Sequence, residues 1–158
     1  MARSTAHRIP ARIASGDSVA VIGLGRFGSS VAVSLEAAGV EVLGVDQDPR
    51  LVAEYADRLT FAAHADSTSV EALRQLAIPD FDRVVVGIGS NLEASILTAS
   101  HLVDFEIPQL WVKALSEDHA RILRQLGVVN VVQPEIEVGR RLAESLAPRL
   151  DGPGQAAG

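Results

Sequence analysis

The sequence predicts an α/β fold: a Rossmann-like, doubly wound parallel sheet of six strands in the order 321456. Three observations carry that prediction. Short apolar runs rich in Val and Ile alternate with segments of helical pattern along the whole chain. The apolar runs barely alternate in polarity, as strands covered on both faces do. The first run leads straight into closely spaced glycines, VAVIGLGRFG at 19–28. A glycine turn after the first strand, with right-handed crossovers thereafter, selects the Rossmann order among open parallel sheets.

The elements follow in order. Strands are predicted at 18–22, 41–45, 59–64, 83–88, 109–113 and 129–132. Helices are predicted at 27–38, 50–57, 68–77, 91–103 and 117–126, with a last one at 135–147. Several boundaries carry their own punctuation: Gly39 after the first helix, Pro49 opening the second, Gly127 after the fifth and Pro134 before the sixth. The stretch ADSTSVEAL, with Asp66 to Glu71 at its heart, reads as a capped helix start. No internal repeat, heptad or low-complexity segment interrupts the pattern.

Composition narrows the class. A chain of 158 residues with 47% apolar content suits one compact domain with a real core. No apolar run reaches the ~20 residues that cross a bilayer. The chain has no cysteine, which excludes disulfides and thiolate chemistry. A formal net charge of −6 argues against nucleic acid as a partner. Residues 1–16 carry Arg3, Arg8 and Arg12 without an acid and read as a disordered basic tail, with a presequence as the alternative. The folded domain is expected over 17–147, and 148–158 has the composition of a flexible tail.

Gly23, Gly25 and Gly28 fill a GxGxxG spacing between a predicted strand and a predicted helix, the context that gives this pattern meaning. The first glycine permits a tight turn. The second lets a pyrophosphate approach the backbone, and the third lets the helix pack close to the strand. Phosphates would then meet free N–H groups at the positive end of a helix dipole. Asp46 ends the second strand, 18 residues beyond Gly28, near the spacing of an acid that accepts from adenosine ribose hydroxyls. A carboxylate there repels a 2′-phosphate and disfavours NADP. Asp48 is either a second ribose contact or the cap of the helix that Pro49 opens. Arg26, inside the glycine loop, either faces solvent or reaches a further phosphate bidentately, which shifts weight from NAD toward ADP or ATP. Phe27 reads as packing beneath the loop.

With these segments in view, the chain resembles the N-terminal, nucleotide-binding lobe of RCK (KTN, TrkA-N) domains, cytosolic regulators of Trk and Ktr potassium transporters and of some potassium channels. The resemblance rests on GLGRFGSSVA (23–32), VLGVDQDP (42–49), HADSTSVEALRQLAI (64–78), VVVGIGSNLEASILTA (84–99), IPQLWVKAL (107–115) and LGVVNVVQPEIEVGRRLA (126–143). GLGRFG together with WVKA and QPE is most like the Ktr type. The resemblance implies that Gly23, Leu24, Gly25, Arg26, Phe27 and Gly28 hold the phosphates, with Arg26 on the terminal phosphate of ATP. Asp46, Gln47 and Asp48 would take the ribose, Asp66 and Ser67 would border the adenine, and Gly89 and Ser90 would lie at the switch point. Lys113 and His119 match further ligand-side positions, and Glu135 matches an acid that helps bind a divalent cation, Mg or Ca. The implied ligands are ATP/ADP or NAD(H). The implied partners are a potassium-transporting membrane subunit and further copies of the chain, as a homodimer within an octameric ring at the cytoplasmic face of the membrane. Full members of the family usually carry a smaller C-terminal lobe, which this chain is expected to lack.

Residue by residue, plainer readings stand beside these. Glu135 after Pro134 would stabilise a helix dipole without any metal. Lys113, the one lysine among 14 cationic side chains, is either a phosphate or subunit contact or a solvated strand end. His119 follows two acids in a first helical turn and reads as solvated from sequence alone. His64 and His101 read as packed or surface residues, and Trp111, in a strand expected to be buried, reads as core. Helix 91–103 suits either the sheet or a subunit interface. Two functions compete with a non-catalytic regulator: an NAD-dependent oxidoreductase, and a nucleotide sensor with a non-transport partner. Hydride transfer needs a substrate pocket and a proton-transfer group, and the sequence shows neither a Ser/His/Asp order nor a Tyr-x-x-x-Lys pair.

Overall fold

A computed structural model of the chain describes residues 16–148. The tails expected at the two ends, apart from Gly16 and Pro148, lie outside the described residues. The elements are β1 (Val19–Ile22), α1 (Arg26–Ala37), β2 (Val42–Asp46), α2 (Pro49–Tyr55), β3 (Phe61–His64), α3 (Val70–Gln75), β4 (Arg83–Val86), α4 (Leu92–Asp104), β5 (Gln109–Lys113), α5 (Glu117–Leu126), β6 (Asn130–Val132) and α6 (Pro134–Leu146). All six strands pair in parallel, in the order β3-β2-β1-β4-β5-β6. The predicted fold class and strand order are the observed ones.

Local chemistry explains where the helices begin. Asp48 caps α2 by accepting from the Arg50 amide, with Pro49 in the first turn. Ser69 caps α3, Asn91 caps α4 and Ser116 caps α5, each accepting the amide three residues on. Gly127 ends α5 at φ 105°, a left-handed conformation that only glycine adopts without strain. The helix expected over 68–77 is shorter than predicted. It stops at Gln75, Ala77 takes φ 54°, and Pro79 then sits in a 3₁₀ turn at Ile78–Asp80.

The core lies in two layers. Ala20, Ile22, Leu43, Val45, Val84, Val86, Leu110 and Val112 pack beneath Leu73 of α3, Ala99 and Leu102 of α4, and Ala120 and Leu123 of α5. On the opposite face Val19, Val21 and Val42 pack beneath Ala32 of α1, with Leu51 and Tyr55 of α2 beside them. Right-handed crossovers place α1 and α2 over β1, β2 and β3, and among the described residues no helix buries the same face of β5 and β6. Trp111 lies there, 43% exposed, and is not the core residue its strand suggested. Gln109, Trp111 and Lys113 alternate with buried Leu110 and Val112, the signature of a strand covered on one face only.

The glycine turn is where α1 docks. Gly23 takes φ 95°, and a Cβ there would stand 2.9 Å from the Gly87 carbonyl carbon. A Cβ on Gly28 would collide with the Gly23 carbonyl oxygen, and one on Gly87 would meet the Gly28 Cα at 3.0 Å. A Cβ on Gly25 meets nothing within 4 Å. Gly28→Ala is therefore expected to destabilise the domain by about 3 kcal/mol, because backbone must move. Gly25→Ala, at the cap of α1, is expected to cost about 1 kcal/mol. Denaturant unfolding of both variants checks this, and equal losses would refute the close-approach account.

Candidate functional site

The carboxyl ends of β1, β2 and β4 border a cleft of about 510 Å³, at the point where strand order reverses. One wall is the glycine turn and the first turn of α1. The Gly23 N–H donates to the Val45 carbonyl and the Gly87 N–H to the Ile22 carbonyl, both at 2.7 Å, which ties the turn to the neighbouring strand ends. Gly25 caps α1 without a side chain. The amides at the start of this helix thus face open space together with the positive end of the dipole.

Asp46 is held across from them. Its Oδ2 accepts the Leu24 amide at 2.7 Å and its Oδ1 accepts the Asp48 amide at 2.8 Å. One carboxylate therefore joins the glycine turn to the β2–α2 loop, and each oxygen keeps a second lone pair for an incoming hydroxyl. The two other acids of this wall are committed nearby. Bonds from the Arg50 side chain, then from its amide, hold the Asp48 carboxyl below its ordinary range. Bonds from the Thr68 hydroxyl and amide do the same for Asp66. Ser67 turns its hydroxyl away to a buried contact with the Thr98 hydroxyl at 2.8 Å.

The cationic side is built by α1 and β5. Arg26 is exposed and forms no hydrogen bond or ion pair among the described residues. Lys113 is 13% exposed; its Nζ lies 3.5 Å from Glu135 Oε1 and 5.7 Å from the centre of the Phe27 ring. Phe27 thus lines the cleft and contacts a cation rather than filling the core.

Of the residues singled out from sequence, Gly23, Gly25, Arg26, Phe27, Asp46, Gln47, Asp48, Asp66, Ser67, Gly89, Ser90 and Lys113 line this one cleft. Leu24 and Gly28 do not: the Leu24 side chain is fully buried, and Gly28 forms the contact between α1 and the turn. His119 is a correction. It is 1% exposed and turned into the seam between α4 and α5. Its Nδ1 accepts the Leu115 amide at 3.0 Å, and its Nε2 lies 3.3 Å from the Ser95 hydroxyl. An Nδ1 that accepts carries no proton, so the ring is neutral. Glu135 also lies outside the residues that line the cleft. Its carboxyl, lowered first by its own backbone amide and then by the Lys113 charge, faces an ammonium. Among the described residues no three His, Asp or Glu groups converge.

Sequence reasoning missed Gly87 and Asn91, which also line the cleft. Gly87 follows VVV directly and could have been found as a second glycine at a strand end. Asn91 could have been found as the cap before LEAS.

Fold and cleft together define a doubly wound α/β domain with a glycine-turn site of the nucleotide-binding type. The TrkA-N domain model matches residues 19–134, and the chain belongs to that family. It is similar to Ktr system potassium uptake protein A of Bacillus subtilis (strain 168), with 41% identity over 128 residues. That match takes in 81% of this chain and 58% of the relative, so the chain spans a little over half of the relative's length. Among solved structures, the TrkA-N domain of inner membrane protein ybaL from Escherichia coli superposes with a TM-score of 0.73 at 21% identity, covering 83% of this chain and 97% of that one. The GsuK channel bound to NAD gives 0.70 at 13% identity, covering 82% and 23%. At these identities the two structures show the fold.

His119 sets a pH dependence. Burial lowers its pKa, so the folded state holds the ring neutral while the unfolded chain takes up a proton near the usual imidazole value of about 6.5. Below that value the unfolded state binds more protons, and stability falls as pH falls. Thermal unfolding between pH 7.5 and 5 is expected to show a falling midpoint that flattens in His119→Asn. The same slope in both proteins would mean another group is responsible.

Proposed function

We propose that this chain is a non-catalytic, nucleotide-binding regulatory module of a potassium uptake system. The observation that carries the reading is the cleft: free helix-terminal amides and the unpaired Arg26 on one side, and the doubly anchored carboxylate of Asp46 on the other. That arrangement suits an adenosine nucleotide, with phosphates over Gly25 and the ribose hydroxyls on Asp46. Asp48 would add a second ribose contact, and Asp66 with Ser67 would flank the base. Arg26 and Lys113 would meet a terminal phosphate, which favours ATP or ADP, with NAD(H) as the other ligand class.

The potassium reading comes from similarity. The Bacillus subtilis relative is named a Ktr system potassium uptake protein, and the GsuK neighbours are channel structures bound to NAD and to ADP. By that analogy the partner is a potassium-transporting membrane subunit, met at the cytoplasmic face. No described helix is long and apolar enough to cross a membrane. Assembly of copies, as a dimer within an eight-membered ring, is supported by apolar surface without cover. α6 buries no residue and exposes Val138, Leu142 and Leu146 at four-residue spacing, and Trp111 lies open on the sheet. Different nucleotides would favour different arrangements of the copies through their differential contacts with Arg26.

Calorimetric titration with ATP, ADP, NAD and NADH tests this. Asp46→Asn is expected to weaken every adenosine ligand by roughly tenfold, the loss of one charge-assisted bond. Arg26→Ala is expected to weaken ATP more than NADH, and equal losses would show that Arg26 does not read the extra phosphate. Small-angle scattering profiles that stay identical with ATP, ADP and no ligand would count against the switch.

A further inference from the structure

The ion pair between Lys113 and Glu135 joins the cleft to the last helix. Lys113 ends β5 and lines the cleft, whereas Glu135 lies in the first turn of α6. Apart from the local cap by which Glu137 accepts the Gln133 amide, this pair is, among the described residues, the only side-chain hydrogen bond or ion pair between α6 and the rest of the domain. The helix buries no residue of its own, so little packing fixes it. Whatever engages Lys113 therefore bears directly on how α6 is held.

We propose that Lys113 is shared between two anions, Glu135 when the cleft is empty and a ligand phosphate when it is filled, so that a nucleotide releases α6. The inference rests on the reading of the cleft as a phosphate site. An ammonium is a compact charge with three donors on a flexible stem, able to turn from one anion to another. The carboxylate is the weaker competitor. Glu135 is 75% exposed, where an ion pair gains little against water and salt. A terminal phosphate carries more charge and three acceptor oxygens. It would also draw on Arg26, the other cation whose charge acts on Glu135. One anion in the cleft thus competes for both cations that steady the start of α6. The exposed stripe of Val138, Leu142 and Leu146 then turns with the helix, and its orientation reports whether the site is filled.

A thermodynamic cycle on the intact 158-residue chain tests this, with ATP and ADP as the probes. Glu135→Gln removes the competitor and is expected to tighten ATP by about 2- to 5-fold at low salt, the range of an exposed ion pair. Lys113→Met is expected to weaken ATP, and the double variant to match Lys113→Met. Amide exchange over residues 135–142 is expected to quicken on adding ATP to the wild-type chain. In Glu135→Gln it should already be fast without ligand. If Glu135→Gln tightens ATP equally with and without Lys113, the effect is plain charge repulsion and the sharing is wrong. If ATP binds and exchange in α6 does not move, the release is wrong while the nucleotide site stands. A wild-type chain that binds neither ATP nor ADP would overturn the site and the inference together.

Discussion

The close approach of three backbone segments, at Gly23, Gly28 and Gly87, is the constraint on which the rest of this structure depends. Without side chains at these positions, the first turn of α1 settles against the ends of β1 and β4. The amides of that turn are thereby aimed at the crevice between the two halves of the sheet. A methyl group at Gly28 would lift the helix off the turn, and the dipole with it. Gly25 differs in kind, because space around it is open on the cleft side. Two glycines of the motif thus serve packing, and Gly25 alone leaves the cleft side open.

Asp46 extends this constraint into chemistry. A carboxylate that accepts two backbone amides, from Leu24 and Asp48, is oriented before any ligand arrives. Pre-orientation lowers the ordering cost of binding, since neither the loop nor the side chain must be fixed afterwards. The acids around it are stabilised locally, Asp48 by Arg50 and Asp66 by Thr68. Asp48 therefore caps α2, one of the two readings open from sequence, and still borders the cleft. Hydride transfer finds no support in this arrangement. Among the described residues the one buried histidine, His119, has both ring nitrogens engaged within the α4–α5 seam, away from the cleft.

How much of this was legible follows from the range of the forces involved. The strand order could be read because glycine spacing, apolar runs and caps are local signals, and the right-handed crossover supplies the rest. The glycine loop and Asp46 were legible for the same reason: their spacing is a property of one βαβ unit. The packing role of Gly87 was not, although its place after VVV was, because that role is set by Gly28, which is distant in sequence and reaches it through the β1–β4 pairing. His119 failed differently. Its place in a first helical turn suggested exposure, but the rotation of α5 puts it on the same face as Ala120 and Leu123. Trp111 was misread because the apolar character of the strands was taken as uniform. The topology covers both faces near β1 and only one near β5, and the alternation in QLWVK already recorded that difference.

The asymmetry of cover has a consequence for how such a domain can signal. Here the half that holds Asp46 and the glycine turn is packed on both sides, whereas β5 and β6 are packed on one. Lys113 stands at the boundary, its stem largely buried and its charge paired with an exposed carboxylate on a helix that buries none of its residues. A ligand needs differential interaction with two states to act as a switch. On the reading of the cleft as a nucleotide site, the doubly covered half would supply a constant grip and the open half the element that can differ. On that reading, the division of the sheet by its own topology would separate binding from response.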